Sequence, residues 1–205
     1  MAADAKQQAE DFKALMEEKI RTLVGEFAEG KISREQFNVL YERYSSRLAI
    51  TNHALFSGTP EAISIVQDGL PTVAIKEAYT GKAMGMVIYH NKSGMVIETL
   101  GDFDVSVTTI APILNDFSRM MSENRLIDRH FEKIDAKQWL LFTPGKFSTV
   151  VTLFYNEPSQ EQMREIERLH HDFEEANRTA LEKEVVDGDH LAYPFLIFIK
   201  QKFKR

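Results

Sequence analysis

Six histidines and the acidic residues beside them are the side chains of this 205-residue chain whose types and spacing could hold a metal or move a proton. His170, His171 and Asp172 are consecutive within a segment of helical periodicity. Neighbouring helical residues diverge by about 100°, so the two imidazoles cannot easily converge on one ion. His170 continues an apolar face and His171 turns away from it. Glu167 and His171 stand one turn apart and could ligate a metal with outside help, but an ordinary surface pair is the simpler account. Asp187, Gly188, Asp189 and His190 read as an acidic turn. They lack the spacing and the closing Glu of a calcium loop. Glu98, Asp102 and Asp104 could be imagined as paired carboxylates, yet a strand end and a helix start already account for them.

Phosphate chemistry finds no better footing. A phosphate-binding loop needs a glycine five residues before its Gly-Lys pair, so that backbone amides can wrap the phosphates. Leu140 stands at that place before Gly145 and Lys146, and Lys76 before Gly81 and Lys82. Phe147 and Ala83 follow where Ser or Thr is required. The chain has no Gly-x-Ser-x-Gly elbow, no His-Glu-x-x-His helix and no Gly-x-Gly-x-x-Gly fingerprint. It also has no cysteine, which excludes disulfides, thiolate catalysis and Cys-ligated zinc. No catalytic, cofactor-binding or metal-ligating residue is nominated, and the expectation is a protein that is not an enzyme and carries no cofactor.

The elements that would position any site are easier to read. Residues 85–90 and 95–100 are short runs rich in β-branched and aromatic side chains, joined by a polar loop ending in Gly94, which predicts a β-hairpin. A helix follows, with Asp102 or Asp104 as N-cap and Val107, Ile110, Ala111, Leu114, Phe117 and Met121 forming one stripe. Pro112 requires that the regular helix begin near Ile110 or kink there. Residues 129–134, 138–142 and 148–155 predict a three-stranded meander, with turns at 135–137 and 143–146. A second helix is expected from about 159 to 183, with Pro158 in its first turn and Met163, Ile166, Leu169, His170, Phe173, Ala176 and Ala180 on one face. An antiparallel sheet with helices on one face is the economical packing for this order. Trp139, Phe142, Phe147, Phe154 and Tyr155 are expected in its core, although they could instead line a ligand pocket.

Ahead of this block, residues 4–28 carry a helical stripe of Phe12, Leu15, Met16, Ile20, Leu23, Val24 and Phe27, closed by Gly30. Ser33 and Gln36 have capping-box spacing and open a second helix bearing Phe37, Leu40, Tyr41, Tyr44 and Leu48. The organisation expected is a helical hairpin over 1–50, a connector with a short helix over 51–71, an α+β domain over 72–184, and an apolar segment with a basic end over 185–205. The short helix would start at Thr59 and Pro60, and residues 71–79 look like an extra strand. The last segment is expected to cover the core rather than to contact a membrane, with Pro194 arguing against a central strand.

The order hairpin, helix, meander, helix, carried by residues 86–100, 105–121, 139–155 and 158–177, resembles the roadblock/longin group of profilin-like domains. Such domains open with a helix before the hairpin, and the strand expected over 71–79 departs from that pattern. The resemblance implies homodimerisation through a sheet edge or helix face, and a regulatory or scaffolding role for a small GTPase. Leu23, Phe27, Gly30, Ile32, Ser33, Glu35, Phe37 and Leu40 also resemble the helical hairpin called SHOCT, which implies oligomerisation or an accessory role. Phe27, Leu40 and Tyr44 are the interaction residues this reading nominates. PAS- and GAF-like sensory domains combine the same kinds of element, so a small-molecule sensor remains the alternative.

Composition fits either reading. A hydrophobic fraction of 43% and a charged fraction of 27% are those of a globular domain. The net charge of −6 argues against nucleic acid as a partner. The N-terminus has no secretion-signal pattern and no apolar run is long enough to span a bilayer, so a cytoplasmic location is expected.

Overall fold

The computed structural model describes residues 2–58, 71–123 and 128–196. The short helix expected from Thr59 and the basic end at 200–205 lie outside these residues. The chain divides into two compact units, Met1–Thr80 and Gly81–Arg205.

The first unit is helical. α1 (Ala2–Ala28) ends where Gly30 adopts φ 76°, with Lys31 N donating to Glu26 O and Gly30 N to Phe27 O. These two bonds satisfy carbonyls that a helix end leaves open. α2 (Arg34–Ser57) starts from the expected box: Ser33 Oγ accepts from Gln36 N, and Gln36 Oε1 accepts from Ser33 N. It runs seven residues into the expected connector, because Ala54 packs on Ala9 and extends the hairpin contact. Met16, Leu23, Ile32, Leu40 and Tyr44 form the core between the helices.

Residues 71–79 are not a strand. They form α3 (Thr72–Ala78), which starts after Pro71. The β-branched Thr72, Val73 and Ile75 suggested a strand, but among the described residues no neighbouring strand offers a ladder. Ile75 packs instead on the hairpin core, and Gln36 Nε2 donates to Lys76 O at 2.8 Å and Thr80 Oγ1 at 3.0 Å. Tertiary contact has overridden local propensity.

The second unit is a five-stranded antiparallel sheet flanked by two helices. β1 (Lys82–His90), β2 (Val96–Gly101), β3 (His130–Lys133), β4 (Gln138–Pro144) and β5 (Ser148–Tyr155) run in the order β2-β1-β5-β4-β3. The expected hairpin and meander are therefore joined through β1 and β5, where Tyr89 pairs with Thr149 and Met86 with Thr152.

The helices do not share one face. α5 (Gln160–Leu181) covers Met86, Ile88, Trp139, Leu141, Val150 and Phe154, whereas α4 (Val107–Ser122) covers Leu140, Phe142, Val151 and Leu153. β4 and β5 are apolar at consecutive positions rather than alternate ones, so both faces need a cover. Side-chain alternation along each strand then divides one apolar run between two cores.

Three local expectations are also resolved. Ser106, not Asp102 or Asp104, caps α4, its hydroxyl accepting from Thr108 N. That helix starts at Val107 and not near Ile110, so of the two alternatives for Pro112 the one with the proline inside the helix stands. Pro158 precedes the cap of α5, where Ser159 and Gln162 form a second capping box and Gln162 Nε2 reaches Gly81 O at 2.8 Å. Farther along α5, Asn177 and Leu181 are buried in place of Ala176 and Ala180. Beyond it, a 3₁₀ turn at Gly188–His190 leads to Tyr193 and Phe195, both packed on Phe173. Phe195 is fully buried, so the described part of this segment, up to residue 196, packs on the core. Among the described residues no helix is long and apolar enough to cross a membrane.

Candidate functional site

The densest buried polar cluster lies where α5 crosses the β4–β5 turn. At this turn Gly145 N donates to Ser148 O at 2.8 Å, while the backbone N–H groups of Lys146, Phe147 and Ser148 turn toward α5. Glu174 supplies the acceptor: Oε2 receives Lys146 N at 2.9 Å, and Oε1 receives Phe147 N at 2.8 Å, Ser148 N at 2.7 Å and Ser148 Oγ at 2.9 Å. A buried carboxylate is tolerable only with such pairing.

His170, one turn earlier, places Nε2 2.8 Å from Ser148 Oγ and 3.6 Å from Glu174 Oε1. Ser148 already donates to Glu174, so it accepts from His170 Nε2–H, and the ring's lone pair sits on Nδ1. Burial pushes the His170 pKa down; the Glu174 carboxylate opposes that shift and His171 adds to it. The ring is therefore neutral around pH 7.

Serine, histidine and glutamate in contact raise the question of a nucleophile. In a catalytic triad the acid holds Nδ1 and the serine faces the substrate. Here the carboxylate and the serine both lie on the Nε2 side, and Ser148 is fully buried. The arrangement staples a turn to a helix. Gly145 is part of the fit, since a Cβ there would meet the Glu174 carboxylate and lie 2.7 Å from His170 Cε1. A second buried histidine does a similar job at the other hairpin: His90 Nε2 donates to Leu181 O and Nδ1 accepts from Ser93 Oγ, both at 2.9 Å.

The remaining histidines and acids are local. Glu167 is held by Arg129, whose Nη1 lies 2.8 Å from each carboxylate oxygen, and His171 is exposed. Asp187 accepts from Asp189 N and bonds His190 Nδ1, and these bonds lower its pKa at the surface. Glu98 accepts from Thr99 N, while Asp102 and Asp104 are exposed. Among the described residues no group of three His, Asp or Glu could hold a metal ion.

The aromatics fall into distinct settings. Trp139, Phe142 and Phe154 are buried in the two cores, and Phe147 is partly buried beside them. Tyr155 is 39% exposed beneath the Lys137 ammonium. Of the nominated interaction residues, Leu40 and Tyr44 are buried between α1 and α2, where they hold the hairpin together. Phe27 is different. Its ring lies 4.7 Å from Phe37, which stacks on Tyr41 at 5.3 Å, and Phe27 and Tyr41 remain 41% and 43% exposed.

Two cavities lie among the described residues of the second unit. One of about 370 Å³ lies over the staple, lined by charged residues including Arg129, Lys146 and Glu167. The other, about 210 Å³, opens between α4 and the end of the sheet where Tyr89 meets Thr149. The sequence signal for the staple was present but faint: Glu174 follows His170 by one helical turn on the apolar stripe, a place where a lone carboxylate would be costly. No family model matches the sequence, and no curated protein matches it.

Proposed function

We propose that the chain is a non-enzymatic protein-interaction and dimerisation module, a roadblock/longin-like sheet unit carrying a helical hairpin. The observation that carries this reading is the stack of Phe27, Phe37 and Tyr41 on the hairpin, in which the partly buried Phe37 holds two exposed rings in place. Aromatic side chains held rigidly at a surface are typical anchors of protein interfaces, because they bury large area while losing little rotamer freedom. The element order of the second unit supports the resemblance, as does α3, a helix standing before the β1–β2 hairpin where the family opens with one. A small GTPase is the partner class that the resemblance implies, with this protein as its regulator or scaffold.

The test is the mass of the full-length protein in native mass spectrometry and sedimentation velocity. The wild type is expected as a dimer, and Phe27→Asp with Tyr41→Asp as a folded monomer that keeps the wild-type helical content. Loss of one interface anchor of about 2 kcal/mol weakens association roughly thirtyfold. A monomeric wild type, or a dimer indifferent to both substitutions, would refute the role given to this surface.

A further inference from the structure

We propose that the cavity between α4 and the β1–β5 end of the sheet binds a small neutral aromatic molecule bearing one hydrogen-bonding group. This goes beyond the interaction reading and does not depend on the hairpin.

The cavity has an apolar floor. Ile110 and Phe117 of α4 are buried in the core beneath it, and Ala111, Leu114 and Met121 extend the same helical surface along its side. Phe117 is fixed edge-on against Phe142, with centroids 6.2 Å apart, which suits a second ring packed nearby. Among the described residues the lining contains no Asp, Glu, Lys or Arg, and the ring nitrogens of its one imidazole, His90, are spent on Leu181 O and Ser93 Oγ. A charged ligand would lose its hydration there without gaining a counter-ion, so the occupant must be neutral.

Several polar side chains of the wall are already committed. Asn91 Nδ2 donates to Gly145 O and Ser148 O, its Oδ1 accepts from Thr149 Oγ1, and Ser118 Oγ donates to Leu114 O. They stiffen the cavity without offering a contact. The Tyr89 hydroxyl and the Asn115 amide also belong to the wall, and neither bonds another described side chain or backbone group. Burial raises the Tyr89 pKa, which keeps its O–H able both to donate and to accept. An apolar floor with a few free polar groups is the usual construction of a small-molecule site, the polar groups fixing orientation.

Size sets the scale of the ligand. A cavity of about 150 Å³ lined by apolar side chains holds benzene. At about 210 Å³ this one accommodates a six-membered ring and a short polar substituent. The aromatic residues of β4 and β5 are not the ligand-facing ones: the site belongs to α4, the β1–β2 hairpin and Thr149 at the start of β5.

The experiment is a titration of ¹⁵N-labelled full-length protein with phenol, and separately with benzoate, at pH 7, followed by amide shifts. Phenol is expected to give saturable shifts confined to residues around Tyr89, Ala111, Leu114, Asn115 and Thr149. Benzoate, of the same ring but charged, should bind about tenfold or more weakly. Ala111→Phe fills the cavity and should abolish the phenol shifts. Should that variant not fold, Tyr89→Phe removes only a hydroxyl and should weaken phenol about fivefold. Non-saturable or scattered shifts, benzoate binding as tightly as phenol, or phenol affinity unchanged in Tyr89→Phe would each overturn the proposal.

Discussion

Lowering the pH from 7 to 5 should destabilise the second unit through one residue. His170 is 2% exposed, and its pKa falls from the usual 6.5 to about 4 because burial strips water from the charged ring. The unfolded chain therefore takes up a proton at higher pH than the folded one. The contribution is fully present above about 6.5 and is lost as the pH falls toward about 4. The linkage relation, RT ln[(1 + 10^(6.5 − pH))/(1 + 10^(4 − pH))], gives a penalty of about 0.2 kcal/mol at pH 7 and about 2 kcal/mol at pH 5. That is a sizeable share of a domain stability of roughly 5–15 kcal/mol.

His170→Gln supplies the comparison, since its amide can still donate to Ser148 Oγ but does not titrate over this range. Trp139, the single tryptophan, is buried in the same unit and reports its urea unfolding. The carboxylates with lowered pKa, Glu165, Glu175 and Asp187, are surface groups common to both proteins, so they cancel in the difference. Between pH 7 and 5 the wild type should lose about 2 kcal/mol more than the variant. Parallel pH profiles for the two proteins would refute the assignment of a neutral, desolvated His170.

Two further substitutions probe the same staple. Glu174→Gln keeps the shape and one acceptor oxygen for Phe147 N and Ser148 N, but sets an NH2 against the Lys146 N–H and removes the charge; a loss of about 3 kcal/mol is expected in urea unfolding, and an unchanged midpoint would show that the turn does not depend on the carboxylate. Gly145→Ala drives a methyl group against Glu174 and His170, with an expected cost of about 2 kcal/mol; amide exchange in the β4–β5 turn should quicken in parallel, and unaltered protection there would count against the close fit.

Much of the architecture is local and was legible. Gly30 and the Ser33–Gln36 box mark helix ends because capping chemistry depends on residues three or four apart; the same spacing at Ser159 and Gln162 carries the same signal, which the proline before it obscured. The β1–β2 hairpin and the β3–β4–β5 meander follow from short apolar runs between turn residues. The segment 71–79 was misleading for the opposite reason. A seven-residue element has too little sequence of its own to show a period, and Ile75 and Gln36 decided it from elsewhere in the chain.

The candidate site was harder. Apolar runs in β4 and β5 show burial without showing on which side a helix will lie, and the placement of α4 and α5 on opposite faces produced both cavities. Phe27 and Leu40 carry similar apolar signals, yet one is left at the surface and the other sealed inside the hairpin. What the sequence determined by itself is the helical hairpin, the order of elements from β1 to the last long helix, the Gly30 and Ser33 helix ends, and the lack of the recognised catalytic motifs. Only the tertiary structure decided which apolar residues remain exposed, that Glu174 finds its donors across 26 residues at Ser148, and that Tyr89 faces α4. The reason is physical: caps and turns are closed by neighbours in the chain, whereas burial and long-range hydrogen bonds depend on which surfaces meet once it is folded.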